Sequence, residues 1–424
     1  MTRAGRFSSV GLIWHCGLLV HTAEETMRSM TRAACMLMLL VSCLVQRDAM
    51  ATVPVPILYE DARVYVPVRV GALPAQWFIL DTGASRTILD TAVARAAHLR
   101  VSDGRMVQGA GGGSSQQKEA AAVELHVGEV ALAVAAPAVM DLAHLLGPTS
   151  GRAPAGIIGA QFFREHFVQI DFALRTLTVS DQDDVPRGTF TAAVPLTFVA
   201  GTPLATVLLT LPGGRTLRAH ALVDLGAKSS FLIPEPFIDQ TGMRTAFPQA
   251  VVTGFGAGVG GDTFYAFARA ERLALADAPD VAQAKPIVGL SVGGTLRSTW
   301  HEGLLGAEFL APYVVGFDYQ HARLLLSAGG GATAGFDRSG LFLIAAGAQL
   351  SRIVVRQVIK GGPGDAAGLK PNDELLQIDG TPAAALGLAG VRTRLKDAAA
   401  ASVMLRYLRG REQLTATVRL RDLL

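Results

Sequence analysis

The chain has 424 residues, of which 50% are hydrophobic and 17% are charged, with 38 Lys and Arg against 35 Asp and Glu. At about 100–200 residues per domain, this length predicts about two to four domains, and the apolar composition excludes a disordered chain. Five of the Arg residues lie before residue 52, so the remainder is almost neutral and gives no electrostatic reason to expect nucleic acid as a partner.

The first 51 residues are predicted to be a targeting segment. A basic start at Met30-Thr31-Arg32 precedes an apolar run over 33–45, and Ala49-Met50-Ala51 follows. These are the three parts of a secretory signal, and the run is shorter than the roughly 20 residues that span a bilayer. We therefore expect translation to start at Met27 or Met30, and the protein to be exported to the periplasm or secreted.

The cysteines lie in the same segment. Cys16, Cys35 and Cys43 are the three cysteines of the chain, so residues 52–424 contain neither a disulfide framework nor a thiol nucleophile. Leu40-Val41-Ser42-Cys43 resembles a bacterial lipobox, whose cysteine carries lipid. Membrane attachment is expected only through lipidation of Cys43 or through an uncleaved signal; an incidental Cys43 is the alternative.

An internal repeat organises the middle of the chain. The motif Gly156-Ile157-Ile158-Gly159 recurs as Gly303-Leu304-Leu305-Gly306, 147 residues later. Upstream of each copy, Asp81-Thr82-Gly83-Ala84 is matched by Asp224-Leu225-Gly226-Ala227 at an offset of 143. Two matched blocks at nearly equal offsets indicate a duplicated domain.

Each copy has the pattern of a β domain. Val64, Val66, Val68 and Val70 alternate with other residues, which is the period of a half-buried strand, and an apolar strand over 77–80 then ends at Asp81. The second copy repeats this pattern from Val207 to Asp224. Glycine-rich segments at 109–113 and 254–261 are typical of flexible hairpin tips.

The paired aspartates are the candidate chemical groups. A single Asp before a Gly turn is commonly a turn cap, but two in matched repeats can meet if the copies pack about a pseudo-twofold axis. Two adjacent carboxyls cannot both ionise, so they share one proton. One can then act as general base on a water molecule while the other protonates a carbonyl oxygen.

The two motifs resemble the signature of retropepsin-like aspartic proteases. The resemblance rests on Asp81-Thr82-Gly83-Ala84-Ser85 with 156–159, and on the second copy at 224–227 and 303–306, and it covers roughly residues 55–327. It implies two tandem closed β lobes packed as an intramolecular pseudo-dimer, at 52–185 and 186–327. It also implies an endopeptidase that cleaves an extended peptide or unfolded protein and needs no cofactor or metal.

The resemblance also assigns roles to residues. Asp81 and Asp224 would be catalytic, Thr82, Gly83 and Gly226 would support the dyad, and hairpin flaps would cover the peptide. The predicted flap residues are Gly109, Gly111, Gly112, Gly254 and Gly256. Leu225 departs from the family, which has Thr or Ser after each Asp. The alternative is therefore a catalytically inactive peptide-binding protein of the same fold.

The C-terminal part resembles a PDZ domain of the bacterial protease type. The motif over 364–373 with Ile378-Asp379-Gly380 supports the resemblance, which covers about 335–424. We expect a linker at 328–336 and the PDZ domain at 337–424. The family binds peptide C-termini by β-augmentation, and the candidate residues here are Gly340, Leu341, Phe342 and Leu343. The alternative is that this apolar strand is only core.

Overall fold

The computed structural model describes residues 53–108, 113–186, 189–293, 296–329, 331 and 335–424. The predicted targeting segment with Cys43, and the predicted flap residues Gly109, Gly111 and Gly112, lie outside the described residues. Strands dominate the part that is described, which confirms the predicted mostly β fold class. No helix within these ranges is long and apolar enough to span a bilayer.

The first lobe comprises the elements from Val55 to Ser180. Its strands are β1 Val55–Pro56, β2 Leu58–Glu60, β3 Arg63–Val70, β4 Gln76–Leu80, β5 Ile88–Asp90, β6 Arg105–Gln108, β7 Ser114–Glu119, β8 Val123–Val127, β9 Val130–Val134, β10 Ala138–Met140, β11 Gly156–Ile158, β12 Phe167–Asp171 and β13 Thr176–Ser180. Its helices are α1 Thr91–Ala96, α2 Leu142–Ser150 and α3 Ala160–Glu165.

The second lobe comprises the elements from Ala192 to Ala328. Its strands are β14 Ala192–Pro195, β15 Thr197–Val199, β16 Thr202–Thr210, β17 Thr216–Asp224, β18 Phe231–Ile233, β19 Val251–Gly258, β20 Gly261–Arg269, β21 Arg272–Leu275, β22 Ala278–Ala284, β23 Ile287–Ser291, β24 Gly303–Gly306, β25 Tyr313–Asp318 and β26 Arg323–Ala328. Its helices are α4 Glu235–Thr241 and α5 Ala307–Leu310, with a 3₁₀ turn at Met243–Ala246.

The two lobes have the same sheet topology. The ten-stranded sheet of the first lobe runs β6-β7-β10-β5-β11-β4-β3-β8-β9, with β2 paired to β3. That of the second runs β19-β20-β23-β18-β24-β17-β16-β21-β22, with β15 paired to β16. Each strand of one lobe therefore has a counterpart at the same position in the other, as expected for a duplicated domain.

A six-stranded antiparallel sheet joins the lobes. Its order is β1-β13-β12-β25-β26-β14, so each lobe contributes three neighbouring strands. The central pair is β12 with β25, in which Val168 faces Phe317 and Ile170 faces Val315. All four side chains are buried, so the lobes share one apolar core.

The C-terminal domain follows from Leu341. Its strands are β27 Leu341–Ala346, β28 Arg352–Val358, β29 Glu374–Ile378, β30 Thr381–Pro382, β31 Ser402–Arg409 and β32 Glu412–Arg419, and its helices are α6 Pro363–Ala366 and α7 Ala383–Lys396. The sheet runs β27-β28-β29-β31-β32 and has a separate apolar core that includes Leu343, Ile353 and Val391. Strand β27 is an edge strand of this sheet.

A buried ion cluster connects the C-terminal domain to both lobes. Asp61, in the turn between β2 and β3, accepts hydrogen bonds from Lys228 Nζ at 2.7 Å and from Arg392 of α7. Thr149 at the end of α2 offers its carbonyl oxygen to the same two cations, at 3.3 and 2.9 Å. Breaking a buried ion pair leaves one charge buried without a partner, which is costly in free energy. This cluster therefore holds the first lobe, the second lobe and the C-terminal domain together.

The cluster alters the protonation of its members. Burial raises the pKa of Glu308, which lies beside it, to about 7, and burial lowers the pKa of Lys228 to about 7. Although burial acts in the opposite direction, Arg392, Lys228 and Lys396 together hold the pKa of Asp61 well below its usual range. The junction therefore binds or releases protons near neutral pH.

We expect Glu308→Gln to remove one part of the pH dependence of stability. The native carboxyl titrates near pH 7 and the unfolded one near 4.5, so its contribution is complete below pH 4.5 and is lost as the pH rises through 7. Between these values, the free energy of unfolding of the wild type should fall relative to the variant by up to about 3 kcal/mol. Urea denaturation at several pH values measures this difference.

The exposed Glu129 provides the matched control, because its carboxyl lies on the surface of the first lobe. The unfolding free energy of Glu129→Gln should follow that of the wild type at every pH. A constant difference between wild type and Glu308→Gln across this range would contradict the assignment.

Candidate active site

The two predicted aspartates follow matching strands. Asp81 comes directly after β4, and its N–H donates to the carbonyl of Ile158 on the parallel strand β11 at 3.0 Å. Asp224 ends β17, which pairs in parallel with β24, where it faces Gly306. Each aspartate is thus positioned by the strand that contains the Gly-apolar-apolar-Gly motif of its own lobe, which explains why the two motifs recur together.

The two Asp-Gly turns cross at the interface of the lobes. A Cβ atom on Gly83 would lie 2.7 Å from Cγ of Asp224, and one on Gly226 would lie 2.6 Å from Cγ of Asp81. No side chain fits at either position, so the glycines allow each turn to approach the carboxyl of the other lobe. The two carboxyls are close enough that each alters the pKa of the other.

Backbone groups orient each carboxylate. Oδ1 of Asp81 accepts from the N–H groups of Gly83 and Ala84 at 2.9 and 3.0 Å. Oδ1 of Asp224 accepts from the N–H of Gly226 at 2.8 Å. In both residues one oxygen is held by the turn, which leaves the other for the partner carboxyl and a bound molecule.

The environment favours one shared proton. Burial raises the pKa of both carboxyls, and the negative charge of Asp81 raises the pKa of Asp224 further. The hydrogen bonds from Gly83 and Ala84, and the positive charge of Arg63, act against this rise at Asp81. Asp224 is therefore the carboxyl that holds the proton more firmly.

Thr82 links the lobes directly behind the carboxyls. Its hydroxyl donates to the carbonyl oxygen of Val223 at 2.7 Å and accepts from the N–H of Leu225 at 3.0 Å. Leu225 is fully buried and has no hydroxyl to return the interaction. The cross-lobe link therefore depends on one threonine.

A roofed cleft lined by residues of both lobes contains the two carboxyls. Its roof is made of the hairpins β6–β7 and β19–β20, whose tips meet where the N–H of Gly113 donates to the carbonyl of Gly260 at 2.9 Å. Gly256 lines the cleft from the second hairpin, and Gly254 lies in the same strand, farther from the tip. The walls are mostly apolar, with Ile79, Ile88, Leu142, Ile157, Leu232 and Leu304 among them.

The predicted peptide-binding segment of the C-terminal domain faces the lobes. Gly340 precedes β27, and Leu341, Phe342 and Leu343 begin it. The ring of Phe342 lies on Gly254, at 2.5 Å from the position that a Cβ there would occupy. This segment and the ion cluster line a common cavity.

Groups of the chain itself occupy much of this binding region. The carboxylate of Asp337 accepts from the N–H groups of Ser339 and Gly340 at 2.9 and 2.7 Å. Helix α2 packs against β27, and Arg392 of α7 donates to the carbonyl of Leu343 at 2.7 Å. The carboxyl end of α2 thus lies across the groove between β27 and α7.

Sequence reasoning identified the aspartates and their turns but missed the charged residues around them. Arg63, Asp61, Lys228 and Asp337 are buried or partly buried and were not singled out, because no motif marks them. Within the described ranges, no three His, Cys, Asp or Glu side chains lie close enough together to bind a metal ion.

Comparisons with known proteins agree with the geometry of the first lobe and of the C-terminal domain. Residues 66–162 match the family model described as aspartyl protease, a range that includes Asp81 and the motif at 156–159 but not Asp224. Residues 354–409 match the family model of a PDZ domain. No curated protein matches the chain.

Solved structures that match include an aspartic proteinase from Irpex lacteus. The two chains are 12% identical with a TM-score of 0.40, and the alignment covers 66% of this chain and 98% of the other. The match to the aspartyl protease family model lies in the first lobe, and the match to the PDZ family model lies in the C-terminal domain.

Proposed function

We propose that the protein is an aspartic endopeptidase whose catalytic dyad is Asp81 and Asp224. The observation that carries the proposal is the crossing of the two turns, which brings each carboxyl against the glycine of the other lobe. Asp224 is buried and Asp81 is partly buried. A pair of adjacent carboxyls that shares a proton has no structural task that a neutral pair could not fulfil with less loss of stability. Their position in a roofed, apolar cleft suits an extended peptide or unfolded protein.

The dyad would act by general acid–base catalysis. The carboxylate of Asp81 takes a proton from a water molecule as the water oxygen attacks the peptide carbonyl carbon, and Asp224 gives its proton to the carbonyl oxygen. The C–N bond of the tetrahedral intermediate then breaks. Asp81 gives the proton that it took from the water to the leaving nitrogen, and Asp224 takes a proton from a hydroxyl of the intermediate, which restores the dyad.

The PDZ domain would regulate access to the cleft. Gln357 of β28 accepts from the N–H of Gly254 at 3.0 Å and donates to the carbonyl of Val252 at 3.4 Å, and Arg356 pairs with Asp262 at 3.3 Å. These contacts hold both strands of the second hairpin. Because α2 lies across the peptide groove, a peptide terminus that enters the groove competes with the contacts that fix the domain.

A catalytically inactive peptide-binding protein is the second candidate. Leu225 favours it, since the reciprocal hydroxyl is lost on one side of the dyad. Export of either form is supported by the N-terminal sequence pattern alone.

Asp81→Asn and Asp224→Asn, made separately, should each lower kcat/KM for a denatured protein substrate by at least about a hundredfold. Each variant removes one titrating oxygen of the pair and keeps its volume. Cleavage of casein across acid to neutral pH, with and without pepstatin, measures the effect. Asp239→Asn, on the exposed face of α4, is the control and should cleave as the wild type does. Full activity in Asp224→Asn would contradict the proposal that Asp81 and Asp224 form one catalytic dyad.

Thr82→Val should lower the free energy of unfolding by about 1–3 kcal/mol, because the buried N–H of Leu225 and the carbonyl of Val223 lose their partner. Cleavage should fall with it, as the turns are no longer held together. Thr82→Ser keeps the hydroxyl and is the matched control. Urea denaturation and casein cleavage are measured together; equal stability of the two variants would count against the cross-lobe link.

Gln357→Ala should raise kcat/KM by about two- to tenfold, because the second hairpin loses two contacts that keep it over the cleft. Arg352→Ala is the control: Arg352 lies on the same strand but pairs with Glu374 inside the PDZ domain, so its loss should leave cleavage unchanged. A lower rate in Gln357→Ala would mean that the PDZ domain instead keeps the hairpin in its productive position.

A further inference from the structure

Arg63 is a buried cation in the wall of the cleft. It is the first residue of β3, only 6% of its surface is exposed, and it lines the same cleft as Asp81 and Asp224. Its Nη1 donates to the hydroxyl of Ser150, and its Nε has no hydrogen-bond partner in the described part of the chain. A guanidinium with five N–H donors is thus only partly used by the protein.

The other cations of the cleft wall differ in their pairing. Arg86 pairs with Glu119 at 2.6 Å, and Lys228 pairs with Asp61 at 2.7 Å. Arg105 also lines the cleft without an ion pair among the described residues, but it is exposed, so water solvates its charge. Arg63 has no carboxylate at ion-pair distance among the residues that the structure describes. The carboxyls that line the cleft are Asp81 and Asp224, which share a proton and therefore offer about one negative charge.

The fold does not need this arginine. In the second lobe the counterpart of Arg63 is Thr202. Leu204 of β16 faces Leu222 of β17 in the same way that Tyr65 of β3 faces Ile79 of β4. Thr202 lies two residues before Leu204, as Arg63 lies two residues before Tyr65. Thr202 is also buried, but it is neutral and satisfied by the carbonyl of Val199 at 2.6 Å. Burying a charge without an ion-pair partner costs several kcal/mol, roughly. The charge of Asp81 acts on Arg63, but among the described residues no carboxylate accepts a hydrogen bond from it, so its free N–H groups can bind an anion from outside the chain.

We propose that Arg63 binds an acidic side chain of the substrate, so that the enzyme prefers peptides with Glu or Asp close to the scissile bond. The inference rests on the proposed endopeptidase function. A carboxylate accepts two parallel hydrogen bonds from the N–H groups of a guanidinium. The apolar side chains of Ile79, Ile157 and Leu142 in the same cleft have no such donors. The preferred substrate combines an acidic side chain with apolar neighbours.

The test uses a set of fluorogenic peptides with an apolar pair at the scissile bond. Glu is moved through the four positions on each side, and a matched peptide has Gln at the same position. For the wild type, one position should give a kcat/KM about ten- to a hundredfold higher with Glu than with Gln, as expected for a charged hydrogen-bonded pair. The preference should weaken as salt is added.

Variants assign this preference to the residue. Arg63→Gln should reduce kcat/KM for the Glu peptide to that of the Gln peptide, and Arg63→Lys should keep part of the difference. Arg69→Gln is the matched control, since Arg69 lies on the same strand with its side chain exposed, and the preference should persist there. If Arg63→Gln does not fold, the wild-type scan still decides whether an acidic side chain is preferred.

Each other outcome has a defined meaning. Cleavage of the peptides with no preference for Glu overturns the inference and leaves the endopeptidase intact. An equal loss for Glu and Gln peptides in Arg63→Gln, with a shifted pH profile, would also overturn it, because Arg63 would then act on the dyad alone. If no peptide is cleaved, the proposed function fails. The inference is then decided by fluorescence anisotropy of labelled peptides added to the Asp81→Asn variant: tighter binding of the Glu peptide than of the Gln peptide supports it, and equal binding overturns it.

Discussion

The crossing of two Asp-Gly turns is the contact on which the rest of the molecule depends. Each turn has a glycine where the carboxyl of the other lobe must pass, and Thr82 connects the two backbones directly behind them. Neither lobe can form this arrangement alone. The shared six-stranded sheet brings the lobes to the right separation, and the crossing then determines how the carboxyls meet.

Much of this could be read from the sequence because it repeats. The motifs at 81–84 and 156–159 recur at nearly equal offsets, and parallel pairing of β4 with β11, and of β17 with β24, is the physical reason that they occur together. Alternating valines predicted β3, whose valines are buried. Periodicity reports on one strand at a time, so it revealed the elements of the fold without their mutual packing.

The junction with the PDZ domain could not be predicted in this way. Asp61, Thr149, Lys228 and Arg392 come from four distant parts of the chain, and none belongs to a repeat or motif. Asp337 likewise precedes the motif over 364–380 that carries the PDZ resemblance, and its carboxylate accepts hydrogen bonds from the backbone N–H groups of Ser339 and Gly340. Such contacts form only when folded domains pack against one another, and local sequence patterns carry no information about that packing.

The two lobes differ in chemistry at two matching positions, Thr82 against Leu225 and Arg63 against Thr202, and this bears on how a peptide would lie in the cleft. Two identical halves related by a twofold axis would accept a chain equally well in either direction. Joining the halves in one polypeptide allowed each to change on its own, and the cleft now has two unequal ends. For the proposed peptidase we therefore expect a peptide to bind in one preferred direction, set by the lobe that has the threonine and the arginine.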